Sequence, residues 1–405
     1  MLKGPKRAGH AKVGRFWSVR AEVATPQDVD PAACRALVEA HYHCCQADPQ
    51  AYVAWFGSQF SNYLNAYAAQ TLRPLVDGLV EVCERHFGAD HPRTAEAMTH
   101  LARVMLMQGE AEKAEPLIRR AIALQERSLG ADHPDTALAV AVLGQHYHQR
   151  GDHAAAEPIF RRALAIREQA LGAEHPLTVS MLDILASTVG ELGRNDEAEQ
   201  LSRRVLEIRE RLLGPDHPDT WFALTALGDV LSKMKDHAAA EPLIRRALTA
   251  QQKHLPAEHP DTGLSMWNLA EALQGLGRLD EAEPLARGSL QMWEKTLGPQ
   301  HEWTAWSLSS LARLRLAQGD AADAAHLAER AIEIHQQTLG GEHPTVAENL
   351  DLLARALVDQ NEHARAEPVL VRALAIHLAR LPTDDPTARA TQQLLTQTRA
   401  HLARQ

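Results

Sequence analysis

Cysteine, aromatic side chains and positive charge are all scarce in this sequence, and each shortage removes a class of protein. The four cysteines, Cys34, Cys44, Cys45 and Cys83, all precede residue 90 of 405, so disulfides cannot hold the rest of the chain together; a reducing, cytoplasmic compartment is the expectation. Aromatic residues are 4% of the chain against 45% hydrophobic residues, so a core must be built mainly from Ala and Leu at close range, which suits helices rather than strands. Asp and Glu number 52 against 42 Lys and Arg, a net charge of -10 that speaks against a nucleic-acid partner, because binding a phosphate backbone needs a surplus of cations. Long apolar runs are missing as well: none is of bilayer length, and no secretory signal opens the chain, so no membrane partner is expected. The first twenty residues are a local exception in charge, with six basic side chains and no acid. A short solvated tail is the expectation for them, an anion-binding arm the alternative.

What the chain has instead is a period. The dipeptide His-Pro recurs at His91, His133, His175, His217, His259 and His343, each slot 42 residues from the next, with His301-Glu302 filling the remaining one. Ten residues after each histidine stands a leucine, from Leu101 to Leu353, and the position after it is always Ala or Gly, as in Ala102, Gly144 and Gly228. A small residue there lets a second helix approach the first closely, and that second helix carries its own small residues, such as Ala114, Ala156 and Ala240. Between the two lie turn formers: Gly109, Gly151, Gly193, Gly277 and Gly319, with Asn361 in the seventh unit and Lys235 the exception in the fourth. Proline follows at Pro116, Pro158, Pro242, Pro284 and Pro368, where the first turn of the second helix is expected to tolerate it.

The stretch "LGADHPDT" at residues 129–136 has the look of a site, an acid beside a histidine with a hydroxyl behind. Shared metal binding would need several imidazoles within about 2.1 Å of one ion, whereas successive units stand two helix widths of about 8–10 Å apart. The loop reads better as punctuation. Gly130 can take the left-handed conformation that ends a helix, His133 is held extended by the proline after it, Pro134 opens the next helix, and Asp135 sits where the helix start favours negative charge.

Leu followed by Ala or Gly in the first helix, Ala at the turn and Ala again in the second (Ala121, Ala163, Ala247, Ala331, Ala373) resembles the tetratricopeptide repeat. With "AEPLIRRAIALQERSLGADHPDT" as its signature, the 42-residue form is similar to the subtype of kinesin light chains, over about residues 71 to 386. The resemblance implies an all-α fold, a right-handed α-solenoid of antiparallel helix pairs. The expected organisation is a basic tail and short helical segment over 1–50, a degenerate capping repeat over 51–90, seven repeats over 91–385 and a capping helix over 386–405. Pro74 and Gly88 keep the register of the degenerate unit, while Gln59 stands where Leu should be; Asp385-Pro386 fills the last slot.

The resemblance also places the first helices on an inner face, at positions +5, +8, +12, +15 and +16 from the histidine. In units three to six these positions include Asp183, Glu191, Phe222, Asp229, Trp267, Glu271 and Trp306, acids interspersed with large aromatics. Aromatics in a concavity are typical anchors and carboxylates favour Lys or Arg, so a basic, extended peptide is the expected occupant. The other reading is that Trp267 and Trp306 simply pack between neighbouring repeats. The chain departs from kinesin light chains where their Asn residues fall: Thr99-His100, Ala141-Val142, Asp183-Ile184 and Thr225-Ala226 stand there instead, so acidic, tryptophan-bearing ligands are not implied. A Lys/Asn clamp for a terminal carboxylate is missing too. The outer face is left to the second helices, whose Arg pairs, such as Arg119-Arg120 and Arg161-Arg162, read as solvated surface.

In "HYHCC", His41, Cys44 and Cys45 share a helical face beside His43, a spacing that could hold zinc, but no neighbouring cluster completes four ligands and an amphipathic helix reads equally well. Nothing resembles a nucleophile with its base or a phosphate loop. The expectation is therefore a non-enzymatic interaction scaffold without metal or cofactor. The alternative is a regulatory or sensor subunit whose N-terminal segment acts on an enzyme or anionic surface.

Overall fold

The computed structural model describes residues 69–380 and 385–404, and all regular structure among them is helical. The basic tail, the "HYHCC" cluster and residues 51–68 of the expected degenerate repeat lie outside these residues. The chain divides into two compact units, residues 1–201 and 202–405. The first holds α1 (Ala69–Phe87), α2 (Pro92–Met107), α3 (Ala111–Ser128), α4 (Pro134–Gln149), α5 (His153–Leu171), α6 (Pro176–Glu191) and the start of α7 (Asn195–Leu213). The second holds the rest of α7, then α8 (Pro218–Lys233), α9 (His237–His254), α10 (Pro260–Gly275), α11 (Leu279–Thr296) and α12 (Glu302–Ala317). It ends with α13 (Ala321–Thr338), α14 (Pro344–Asp359), α15 (His363–Arg380) and α16 (Pro386–Leu402). Within each unit the helices other than α7 pack on their neighbours in sequence, and first helices also touch first helices, α2 on α4 and α8 on α10. This is the expected all-α solenoid class of stacked helix pairs.

Seven joints between pairs are each closed by a histidine, and at four of them a glycine and a threonine join it. In the second unit's first-helix starts and in the first unit's alike, the histidine is the N-cap: its Nδ1 accepts from the backbone N–H two residues on, at 3.2 Å for His133 and His175 and 3.3 Å for His259. His301 caps Trp303 N at 3.2 Å although Glu302 replaces the proline, so the imidazole alone suffices to start α12. The glycine ahead of the histidine takes a left-handed φ, +103° at Gly130. The threonine after the proline then donates back to that glycine's carbonyl, Thr136 to Gly130 at 2.9 Å and Thr220 to Gly214 at 2.8 Å. Three orphan backbone groups are satisfied by one eight-residue loop.

The turn inside each pair closes in Schellman fashion: Glu110 N donates to Met105 O at 2.9 Å and Gly109 N to Leu106 O at 3.1 Å. Lys235 and Asn361 adopt the same left-handed conformation, φ +66° and +60°, without glycine's freedom. Asp152, Asp236 and Asp320 cap the following helices by accepting from N–H groups three residues on. One expectation fails here. Pro116, Pro158, Pro242 and Pro284 lie at the sixth residue of their helices, one turn later than the sequence suggests, because each helix already begins two residues after the left-handed turn residue, with an Asp cap at α5 and α9. Each proline is exposed, so water can satisfy the carbonyl it leaves unpaired.

The small residues of the first helices do what their size requires. A Cβ on Gly144 would lie 2.5 Å from the Phe160 ring, and one on Gly228 would lie 2.3 Å from Ile244, so α5 and α9 seat against α4 and α8 only because these positions are glycine. On the second helices the arginines are not merely solvated: Arg162 pairs with Glu126 at 2.5 Å, Arg246 with Glu210 at 2.6 Å and Arg330 with Glu294 at 2.8 Å, each 36 residues apart. These pairs tie α5 to α3, α9 to α7 and α13 to α11.

Candidate functional site

The register that buries Leu269 and Leu311 turns positions +5, +8 and +12 of α10 and α12 away from the second helices. In the second unit this face carries most of the aromatics expected from the sequence. Phe222, on α8, is 42% exposed, an unusual state for so large an apolar ring. Trp267 on α10 and Trp306 on α12 are half-buried and meet each other, ring centroids 6.3 Å apart at 59°. Trp267 Nε1 is sunk into the protein with no hydrogen-bond partner among the described residues, so what the indole shows to solvent is its carbon edge. Trp306 is set from below: it stands edge-on to His335 at 5.2 Å, and its Nε1 reaches Glu302 Oε1 at 3.4 Å.

His335 belongs to a buried polar network that fixes this support. Asn349 Nδ2 meets His335 Nδ1 at 3.2 Å, and Ser309 donates to Asn349 Oδ1 at 2.6 Å. Burial pushes the His335 imidazole down to about 4, aided by the charge of His343, so the ring beneath Trp306 is neutral.

The acids of this face are less available than the sequence suggests. Glu271 is paired with Arg313, the residue at the same position one unit later, at 2.5 Å, and Asp229 with Lys233 at 3.2 Å. Arg313 is a functional candidate that reading for acids and aromatics overlooks, although the 42-residue period puts it directly beside Glu271. Glu348, the +5 residue of α14, is a second. Its side chain is accessible, yet the packed helices around it strip water from the carboxyl and hold it above the usual carboxylate range, outweighing the attraction of Arg313 and His377.

Of the expected residues in the first unit, Asp183 is half-buried and Glu191 exposed, both on α6. They are the acidic positions of the expected inner face that fall in the first unit. Close to Glu191, at the turn from α4 to α5, His148 Nδ1 faces His153 Nδ1 at 3.2 Å. Among the described residues no group of three or more His, Cys, Asp or Glu gathers around one point, and no helix is long and apolar enough to cross a membrane.

The family model described as tetratricopeptide repeat matches the chain repeatedly, at residues 72–127, 100–169, 139–210, 177–253, 261–337 and 316–379, and a second model of the same description matches 225–295. No curated protein matches. Among solved structures, a putative kinesin light chain from Podosopora anserina with nearly identical repeats is 26% identical, covering 51% of this chain and 98% of that one, with a TM-score of 0.46. BtubC from P. vanneervenii is 22% identical over 57% of this chain and 93% of that one, with a TM-score of 0.50. A signal-transduction ATPase with a tetratricopeptide repeat sensor, from Pyrococcus horikoshii, is 14% identical over 98% of this chain and 55% of that one, with a TM-score of 0.66.

Proposed function

The chain belongs to the tetratricopeptide repeat family, a family of protein-interaction scaffolds, and from that premise we propose that it acts without catalysis by holding an extended peptide of a partner protein against the first helices of residues 202–405. The observation that carries this reading is the half-exposed Trp267–Trp306 pair beside exposed Phe222. Leaving such rings in water is unfavourable by about 25 cal/mol per Å² of apolar surface, and a peptide that covers them recovers this. Carbon edges rather than N–H groups face outward, so the anchor is an apolar or flat side chain.

The peptide is basic. Glu271 and Asp229 are already neutralised by Arg313 and Lys233, but the exposed Glu348 has no ion-pair partner among the described residues, and a Lys or Arg from the ligand would supply one. The net charge of -10 favours encounter with such a partner. Residues 51–90 and 386–405 serve as caps of the stack, which α16 supports by covering Leu370 and Ala354 with Leu395.

Tryptophan fluorescence titrated with paired peptides, one basic and one acidic of equal apolar content, tests this reading. The basic member should bind at least tenfold tighter, and changing Phe222, Trp267 and Trp306 together to Ala should abolish the difference. Equal binding of both peptides, or equal binding by the triple variant measured calorimetrically, would refute it. Binding by the Glu348→Gln variant should weaken for the basic peptide only.

A further inference from the structure

Outside that face, the turn from α4 to α5 brings two imidazoles together in a way that no structural role at the joints requires. The seven joint histidines each spend Nδ1 on a helix start; His148, in the last turn of α4, and His153, the first residue of α5, do not. Their Nδ1 atoms face each other at 3.2 Å, with the rings at 69°. Thr188 Oγ1 on α6 also lies 3.2 Å from His148 Nδ1. Its own proton is directed to the Ile184 carbonyl at 2.8 Å, so towards the imidazole it is an acceptor. Three lone-pair bearers thus converge, and a single N–H must serve two of them.

We propose that His148 and His153 form a two-imidazole site for a first-row divalent cation, Cu2+, Ni2+ or Zn2+. Two metal–nitrogen bonds of about 2.0–2.1 Å to atoms this far apart subtend an angle of about 100°, between the square-planar and tetrahedral values that imidazole-binding metals adopt. One cation satisfies both nitrogens at once, which one proton cannot; the Nδ1 proton moves by way of solvent to Nε2 of the same ring, so both rings stay neutral with their N–H at Nε2. Three further features favour positive charge at this point. The C-terminal ends of α4 and α6 bring the negative ends of two helix dipoles here, and Glu191, at the end of α6, acts on His148 as a nearby negative charge. Water fills the positions the two rings leave open, with Glu191 as outer partner.

Metal-free full-length protein titrated with Cu2+ and followed by electron paramagnetic resonance tests the assignment. The unaltered chain should bind one equivalent more than His153→Gln or His148→Gln, and the extra signal should carry nitrogen splitting from two imidazoles. The segment holding His41 and Cys44 is present in every protein compared and cancels. The joint variant His175→Gln should keep the equivalent. Helix content by circular dichroism accompanies each variant, and each is read separately, so a loss of fold in one leaves the other decisive. In the unaltered protein, Zn2+ should shift the ring resonances of His148 and His153 before those of His133 and His175. Equal stoichiometry in the variants, or first movement of the joint imidazoles, would overturn the proposal.

Discussion

At the scale of single residues, the histidines divide by what their nitrogens do. The joint histidines accept at Nδ1, and the sequence marks where they stand without showing that the imidazole itself is the cap: His is not among the usual capping residues, and only the 3.1–3.3 Å contacts to the second residue beyond assign it that work. His335 is different, buried under Trp306 with a folded value near 4 against an ordinary 6.5. The neutral ring is therefore the native form, and the unfolded chain takes up its proton first as the solution is acidified. Its contribution is fully present above about pH 6.5 and is lost as pH falls towards 4, a difference of up to about 3 kcal/mol. Urea midpoints measured between pH 7 and 5 should fall more steeply for the natural protein than for His335→Gln; parallel slopes would show the ring to be unperturbed. Lys235, in a left-handed turn where five sister units use glycine, offers the opposite case: Lys235→Gly should raise stability by about 1 kcal/mol in thermal unfolding.

At the scale of helices, periodicity made nearly all of the architecture legible. Leu at +10 and Ala or Gly at +11 predicted two packed helices per unit, and the contact of Gly144 with Phe160 gives the physical reason. Gly144→Ala should cost about 1–3 kcal/mol, and a smaller partner, Phe160→Leu, should recover part of that in a double-mutant cycle. Additive losses would mean that the helices separate rather than clash. Helix starts were less legible: the prolines of the second helices fall a turn deeper than expected because the left-handed turn residue two positions ahead, not the proline, sets the first residue. The site was legible in part. Trp267 and Trp306 do meet, but the cation opposing Glu271 comes from the same position one unit on, a relation that only the register reveals.

At the scale of the molecule, the second helices carry ion pairs at a spacing of 36 residues within each compact unit. Exposed pairs of this kind contribute about 0.2–1 kcal/mol each, and salt screens them over roughly 10 Å, so the stack does not depend on them. Raising NaCl from low to molar concentration should lower the thermal midpoint by only a few degrees; collapse of the helical signal would show the charges, not the Ala and Leu core, to be the main adhesive.

Because every joint from His259 to His343 is locked by the same imidazole acceptor and offers the same small-residue seat, the array is indifferent to how many links it contains. Excising residues 302–343 would bring Pro344 directly behind His301, with the cap, the seat and the pitch of the chain preserved. A cut of half that length would set a first-helix surface where a second belongs. The shortened protein should still melt as a helical array, whereas the half-link deletion should not fold past the splice. Whole links are thus the natural currency in which such a chain can grow or shrink.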